Sequence, residues 1–340
     1  MGKTSMKAIL GLLLVIVVAI MGAMGYVRSQ GDNSKFAASG EQLFIVKEGM
    51  TTVEIAQLLH ERKLVANPKA FGWEARLKGL AERLQAGPYK LMGGMSNSQI
   101  VEVMAKGIIK EARFTVPEGF TVVKTAKKLE EEGLGSAEKF LAAAKNYAPY
   151  PYMATEDPNV VFKCEGFIYP ATYDFAVGAS EEKLLKIMVD QFQQEVVTNK
   201  LEEKAKAKNM SLRDVVNLAA MVELEAMYRE ELARIAGVFV KRLEIGMPIQ
   251  SDTTIQYILG AQKEIITFKD TEIANPYNTY QNPGLPPGPI GSPSLAAMEA
   301  VLNPESHEFL YFVAEKDGHH RFTKTYREHL NAINQIDGGN

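Results

Sequence analysis

The sequence predicts a mixed α+β protein with an N-terminal transmembrane helix, a small strand-and-helix module, and a larger α+β domain around a central buried helix. Three observations support this: an uncharged apolar run at residues 8–27, a strand–turn–helix pattern that occurs twice, and a nearly all-apolar helical segment at residues 215–227. A chain of 340 residues exceeds the usual size of a single core, so more than one packed unit is expected.

Composition and the absence of certain motifs argue against several classes of function. The formal net charge of -3 gives no basic surface for nucleic acid. The single cysteine, Cys164, excludes an internal disulfide, and no Cys/His spacing indicates a zinc site. The five histidines include no HExxH motif, and neither a phosphate-binding loop nor a GxSxG motif is present. We therefore expect no metal and no cofactor.

The apolar run at residues 8–27 predicts a membrane anchor, because about 20 helical residues cross the hydrocarbon core of a bilayer. Lys3 and Lys7 precede it, so the positive-inside rule places the tail, residues 1–7, in the cytoplasm. We expect a single-pass protein of the cytoplasmic (inner) membrane whose linker, residues 28–42, and remaining chain lie on the outer, periplasmic side. A cleaved signal peptide is the alternative, although its apolar region is usually only about 7–15 residues long.

A repeated pattern defines the next segment. Residues 44–65 (FIVKEGMTTVEIAQLLHERKLV) and 114–134 (FTVPEGFTVVKTAKKLEEEGL) align without a gap. Each predicts a short strand, a Glu-Gly turn, and an amphipathic helix capped by Thr51 or Thr121. A second helix at 67–80 and a returning strand at 86–91 complete a β-α-α-β module, which we assign to residues 43–112.

The order and size of this module resemble the LysM fold, a small module that binds glycans containing N-acetylglucosamine. The resemblance lies in the pattern of elements and not in any diagnostic residue. A packing or spacer module without a ligand fits the same pattern.

An aromatic segment, residues 164–175 (CEGFIYPATYDF), follows in the middle of the chain. Aromatic side chains in a loop can stack on sugars, but they more often belong to a core, and we favour the core here. An amphipathic helix at 180–198 comes next.

The central helix carries the most informative residues. It begins at a capping motif, SLRD at 211–214, and from residue 215 to 227 its only polar positions are Asn217, Glu223 and Glu225. Because a buried carboxylate costs several kcal/mol, two on such a helix indicate either a functional acid or ion pairs with arginine. Arg229, Arg234 and Arg242 follow closely. The residues alone leave the choice of acid open.

The segments after this helix suggest a cleft. A helix at 230–245 stops at Gly246, residues 247–250 predict a strand, and Ser251 or Asp252 caps a short helix at 254–259. A proline-rich loop at 275–293 has a nearly fixed backbone. It contains side chains that can bond to sugar hydroxyl and acetamido groups, although a purely structural loop is an alternative. These are Asn275, Tyr277, Asn278 and Tyr280.

Four sequence motifs together resemble the MltG (YceG-like) endolytic murein transglycosylases, which are membrane-anchored enzymes that cut nascent peptidoglycan strands. The motifs are VELEA, VFVKRLEIGMPIQSDTTIQY, NPYNTYQNPGLPPGPIGSPS and YFVAEKDGHHRFTKTYREH. The resemblance extends from the anchor nearly to the C-terminus and implies that residues 113–340 form the catalytic domain.

The resemblance also implies roles for particular residues. The second glutamate of the Val-Glu-x-Glu motif, Glu225, corresponds to the family's catalytic acid, and Glu223 is the second candidate. Two departures occur: Ala226 replaces a frequent hydroxyl residue, and Thr253 replaces a frequent proline. The residues that would line the substrate cleft are Gln250, Asp252, Asn278, Tyr280 and His320.

The expected reaction is that of a carbon–oxygen lyase acting on a polysaccharide. It breaks the β-1,4 bond between N-acetylmuramic acid and N-acetylglucosamine, leaves a 1,6-anhydro end, and so terminates strand elongation. Residues two apart on a helix point about 200° apart, which argues against Glu223 and Glu225 acting as the flanking pair that a hydrolase needs. Expected partners are peptidoglycan strands, the membrane and cell-wall synthases. The alternatives are a non-catalytic, membrane-tethered glycan-binding scaffold and a hydrolytic muramidase.

Overall fold

The structure is a computed structural model that describes residues 31–338 except 37–39, 48, 85, 107–110, 262 and 264, together with residues 18, 21, 22, 25 and 26. The predicted anchor at residues 8–27 therefore lies almost entirely outside the described residues. Within the described part of the chain, every helix is too short or too polar to cross a membrane.

The described chain is a mixed α+β structure with many helices and three two-stranded sheets. It divides into two compact units. The first unit ends at Ala112 and also takes in Glu131–Leu134 and Phe175–Gly178, and the second unit contains the other residues from Arg113 onward.

The first unit has the strand–helix–helix–strand order that the sequence predicts. Its elements are β1 (Glu41–Val46), α1 (Thr52–Glu61), α2 (Pro68–Leu77), β2 (Gly87–Met92) and α3 (Asn97–Lys106). β1 and β2 are antiparallel, with Phe44 opposite Tyr89. Thr51 and Glu54 form a capping box that starts α1. The only tryptophan, Trp73, is exposed on α2.

The elements from Glu111 onward are β3 (Glu111–Thr115), α4 (Val122–Glu131), α5 (Ala137–Ala144), β4 (Thr172–Ala176), α6 (Glu181–Thr198), α7 (Leu201–Ala207), α8 (Leu212–Glu225), α9 (Leu232–Glu244), α10 (Asp252–Leu259), α11 (Phe268–Thr271), α12 (Leu295–Leu302), β5 (Tyr311–Ala314), β6 (His320–Thr323) and α13 (Tyr326–Asp337). β3 and α4 repeat the order of β1 and α1, as the duplicated sequence pattern predicts. Short 3-10 turns occur at Ala81–Arg83, Pro151–Met153 and Arg229–Glu231.

Helix α8 lies at the centre of the second unit, where it packs against α7, α9, α10 and α12. Ser211 caps its first turn by accepting a hydrogen bond from the backbone N–H of Asp214. All eight residues from 215 to 222 are buried. The helix ends at Glu225 because Ala226 takes an extended backbone, with φ -76 and ψ 124. This confirms a central, largely apolar helix.

The strand predicted at residues 247–250 does not form. Gln250 has a left-handed backbone, with φ 54, and the carbonyl groups of Pro248 and Ile249 accept hydrogen bonds from Arg242 Nη1. Because a side chain occupies these carbonyls, they are not available for a strand ladder. The prediction was wrong because an alternation of residue types does not show that the side chain of Arg242, six and seven residues earlier, binds these carbonyls.

The aromatic segment at 164–175 belongs mainly to the core, as predicted. Phe167, Ile168, Tyr173 and Phe175 are buried, and the ring of Phe167 meets that of Phe192 edge-on at 5.3 Å. Cys164 is also buried, and its thiol donates to the carbonyl oxygen of Ala144 at 3.4 Å.

Candidate active site

The carboxyl group of Glu225 stands at the point where α8 stops. Its Oε1 accepts a hydrogen bond from the hydroxyl of Ser251, a buried residue that precedes α10. Burial is the main cause that raises the pKa of Glu225, and the negative charge of Asp252 adds to the rise. The Ser251 hydrogen bond and the charge of His320 oppose it. The site therefore holds an acid that retains its proton to a higher pH than an exposed glutamate.

A small group of hydroxyl side chains fixes Ser251. Its backbone N–H donates to Thr279 Oγ1 at 3.0 Å, and its carbonyl accepts from Thr254 Oγ1 at 2.7 Å. Thr254 and Thr279 also share a hydrogen bond of 3.0 Å. Oγ of Ser251 lies 2.5 Å from Oγ1 of Thr253. This network holds the Ser251 hydroxyl in place for Glu225.

Asp252 and Tyr280 form a pair next to this network. The Tyr280 hydroxyl donates to Asp252 Oδ1 at 2.6 Å. Asp252 is exposed, whereas Tyr280 is partly buried, and burial is the main cause that raises the pKa of its phenol. The pair holds the Asp252 carboxyl group in place at the protein surface.

His320 is held from one side by Glu231. Nδ1 of His320 lies 2.8 Å from Glu231 Oε2, and the backbone N–H of His320 donates to Glu231 Oε1 at 2.9 Å. Both side chains are nearly buried, 6% and 8% exposed. Because a carboxylate accepts hydrogen bonds, Nδ1 carries a hydrogen. Nε2 is the ring nitrogen that does not face Glu231.

Glu223 has a different place from Glu225. Its Oε2 accepts a hydrogen bond from the backbone N–H of Ser294, the N-cap residue of α12, at 2.8 Å. Burial raises the pKa of Glu223, and the bonds from Ser294 oppose the rise. The two glutamates therefore face different partners, as the helical angle between them predicts.

The two remaining predicted site residues, Asn278 and Gln250, differ in burial. Asn278 is fully buried, and its side chain is used inside its own loop: Nδ2 donates to the carbonyls of Thr271 and Ile273, and Oδ1 accepts from the backbone N–H of Tyr280. Asn278 thus fixes the backbone that carries Tyr280. The side chain of Gln250 is exposed, and its backbone N–H donates to the Thr279 carbonyl at 3.1 Å.

The sequence interpretation did not single out Ser251 or Glu231 as site residues, and it considered Arg242 only as an ion-pair partner. Arg242 is buried and donates to the carbonyls of Leu310 and Ile249, so it holds together the loop that leads to Ser251. An arginine on the buried side of an amphipathic helix was the available signal. Nothing in the local sequence marks Glu231 as the partner of His320.

Comparisons with known proteins show the family of the chain. The sequence model of the YceG-like family matches residues 44–335. An endolytic murein transglycosylase of Bacillus subtilis (strain 168) is 33% identical over 299 residues, which cover 84% of this chain and 82% of the relative.

Two further comparisons extend the match. An endolytic murein transglycosylase of Streptococcus pneumoniae is 30% identical over 339 residues, covering 88% of this chain and 60% of the relative's length. The crystal structure of a yceG-like protein from Listeria monocytogenes has 30% sequence identity and a TM-score of 0.62, with 87% of this chain and 100% of that chain covered.

Proposed function

The chain belongs to the YceG-like family and acts as an endolytic murein transglycosylase, and on this premise we propose that Glu225 is its catalytic acid and base. The supporting observation is the position of Glu225, a partly buried carboxyl group with a raised pKa that a fixed serine hydroxyl holds at the end of the central helix. A general acid needs such a pKa to be protonated near neutral pH.

The proposed reaction uses one carboxyl group for two successive proton transfers. Neutral Glu225 gives its proton to the glycosidic oxygen between N-acetylmuramic acid and N-acetylglucosamine, and the bond from that oxygen to the anomeric carbon breaks. The C6 hydroxyl of the muramic acid forms the new bond to the anomeric carbon and loses its proton to the Glu225 carboxylate. The acid is restored, no water is consumed, and the product has a 1,6-anhydro end.

Neighbouring groups support both halves of this cycle. The Ser251 hydroxyl and the charge of His320 stabilise the carboxylate that forms when Glu225 gives up its proton. Burial and the charge of Asp252 favour the return of the proton. Some neighbours of Glu225 thus raise its pKa and others lower it, as a group that both donates and accepts a proton requires.

One observation favours a second candidate, hydrolysis. Asp252 is a second carboxyl group whose charge reaches Glu225, and a hydrolase could use it to activate water or stabilise the glycosyl cation. Mass analysis of products separates the reactions, because hydrolysis adds one water to the new end and transglycosylation does not. A scaffold would yield no product.

The test of the assignment is the matched pair Glu225→Gln and Glu223→Gln, assayed on uncrosslinked glycan strands. We expect Glu225→Gln to lose at least about 100-fold in kcat, since general acid–base catalysis contributes typically 10²–10⁴-fold. Glu223→Gln keeps an acceptor for the Ser294 N–H and should retain most activity. Full cleavage by Glu225→Gln with loss in Glu223→Gln would reverse the assignment.

We also propose that residues 8–27 anchor the enzyme in the cytoplasmic membrane, with the site on the outer side next to nascent strands and cell-wall synthases. The uncharged run after Lys3 and Lys7 supports this. The first unit, with its β-α-α-β order, is proposed as a LysM-like glycan-binding module. Membrane fractionation of the full chain and of a chain lacking residues 1–27 tests the anchor: only the full chain should sediment with membranes.

A further inference from the structure

A cavity of about 510 Å³ opens in the second unit beside the end of α8. Its buried wall includes Glu165, Tyr277 and Ile290, and its open side includes Lys124 and Val161. None of these five residues has a part in the proposed cycle of Glu225. The cavity also has amide and hydroxyl side chains in its wall, which are Thr121, Asn159, Thr253, Gln256 and Asn275.

The cavity carries a net positive charge near neutral pH. Glu165 is fully enclosed, and burial raises its pKa to about 8, so its carboxyl group is largely uncharged at pH 7. The described lining then has one ionised side chain, Lys124. Lys124 is exposed on the open side of the cavity, and its positive charge also acts on the Glu165 carboxyl group. An anionic group would therefore be attracted to the rim of the cavity.

The rim also carries two exposed aliphatic side chains, together with the exposed amide of Asn159. Val123 and Val161 are 51% and 58% exposed, and the amide side chains of Gln256 and Asn275 lie in the same lining. This lining complements a peptide, which carries short aliphatic side chains, amide groups and a carboxylate. A sugar subsite would instead be expected to present an exposed aromatic face. The three aromatic rings of this lining are half-buried (Phe162 and Tyr257) or buried (Tyr277), and its exposed side chains are not aromatic.

Two hydroxyl groups connect the cavity to the acid. Thr253 lines the cavity, its Oγ1 lies 2.5 Å from Ser251 Oγ, and Ser251 donates to Glu225. In murein, the peptide stem is attached to the same muramic acid whose glycosidic bond is broken. A stem on the reacting sugar would therefore start near the Thr253 side of this cavity.

We propose that this cavity binds the peptide stem of the muramic acid at the cleavage point, with a stem carboxylate paired with Lys124 Nζ and the aliphatic stem side chains against Val123 and Val161. This inference rests on the proposed function and adds to it a specificity: the enzyme recognises strands that still carry their peptides. The stem would also orient the reacting sugar toward the acid.

The experiment compares two substrates of equal length, uncrosslinked glycan strands with intact stems and the same strands after an amidase has removed the stems. Wild-type full-length protein should have a lower KM for the stem-bearing strands. Lys124→Gln should raise the KM for stem-bearing strands about 3- to 10-fold, as expected for a partly solvated charge-assisted contact, and leave the stripped strands unchanged. Lys127→Gln is the control, since Lys127 lies on the same helix but outside the cavity lining.

A second variant adds a charge and removes none. Val161→Glu places a carboxylate on the exposed rim, where it does not disturb the core, and should raise the KM for stem-bearing strands alone. Equal KM values for the two substrates in wild type would overturn the proposal. So would an equal rise in KM for both substrates in Lys124→Gln, which would mean that the glycan itself occupies the cavity. The proposed function itself fails if wild type and Glu225→Gln both leave the two substrates uncleaved. A failure of the stem site is a different result, because wild type then still cleaves both substrates.

Discussion

Glu225 is surrounded by groups that act on its proton in opposite directions. Burial and Asp252 raise its pKa, while Ser251 and His320 lower it. Three of these neighbours come from segments after α8, so the acid's strength depends on tertiary contacts. A shift of one pKa unit corresponds to about 1.4 kcal/mol between the two protonation states, so modest changes in these neighbours change the pH range of activity.

Asp252→Asn and His320→Gln should shift the pH profile of kcat in opposite directions. Glu225 must be protonated for bond cleavage, so the alkaline limb follows its pKa. Removing the Asp252 charge lowers that pKa and moves the limb to lower pH. Removing the His320 charge raises the pKa and moves the limb to higher pH. Asp174→Asn, at an exposed ion pair with Arg113, should leave the limb unchanged. Shifts of both site variants in the same direction would contradict this account.

The sequence identified Glu225, Asp252, Tyr280 and His320 before their contacts were known. The structure connects Glu225 electrostatically to Asp252 and His320, and it joins Asp252 to Tyr280. The bond from Ser251 and the support of His320 by Glu231 were not predictable, because they join residues 26 and 89 positions apart in the chain. A hydroxyl or a carboxyl residue in a sequence does not indicate which distant atom it will reach.

Glu223 joins two helices. It lies near the end of α8 and accepts a hydrogen bond from the backbone N–H of Ser294, the N-cap residue of α12. α8 and α12 pack against each other, so this bond also fixes their ends. The carboxyl group at this position therefore has a structural reason to be present, independent of catalysis.

Glu223→Ala should lower the free energy of unfolding by about 1–2 kcal/mol, because the Ser294 N–H loses its acceptor. Glu223→Gln keeps a carbonyl acceptor and should lose clearly less. Denaturant titration of the two variants gives both values. Equal losses would show that the charge, and not the acceptor, is what α12 needs.

Two glycines inside helices predict opposite effects of the same substitution. A Cβ on Gly237, in α9, would lie 2.4 Å from the Glu305 carbonyl oxygen and 2.6 Å from His307 Nε2, so Gly237→Ala should destabilise by about 1–3 kcal/mol. A Cβ on Gly72, in α2, meets nothing within 4 Å. Gly72→Ala should stabilise its helix by about 0.5–1 kcal/mol. Thermal unfolding measures both, and a stabilising Gly237→Ala would refute the close packing at residue 305.

Helices were more predictable than strands in this chain. Capping residues and apolar spacing located α1, α6, α8 and α9 within a few residues of their observed ends, because both signals act locally. The strand expected at 247–250 failed because its carbonyls are bound by Arg242. The duplicated strand–helix pattern was recognised correctly, since each copy carries its own turn and cap.

The second unit contains Glu225 with Ser251, Asp252, Tyr280 and His320. The same unit encloses Glu165, whose raised pKa affects the stability of the fold and not only the charge of the cavity. Val122 N donates to Glu165 Oε1 at 3.0 Å. The carboxyl group thus receives the first amide of α4, which partly offsets the cost of its burial.

Glu165 should make stability fall as pH rises from about 4.5 to 8. Its pKa is about 8 in the folded chain against an ordinary 4.5, so over this window the unfolded chain has released the proton that the folded chain retains. Stability then decreases with pH. Glu165→Gln keeps the acceptor for Val122 and should flatten this dependence in urea titrations at several pH values. The control Glu308→Gln, at an exposed position, should keep the wild-type slope, and an unchanged slope in Glu165→Gln would contradict the assignment.

The burial of the single cysteine has a practical consequence for following how the two units open. A thiol-specific reagent can modify Cys164 only after the second unit has opened, because the side chain is inaccessible in the folded state. The single tryptophan, Trp73, lies in the first unit and supplies a fluorescence signal from that unit. Each unit thus has its own natural reporter. Comparing the rate of thiol modification with the change in tryptophan emission during one denaturation experiment would reveal whether the units open together or in sequence, without any engineered label.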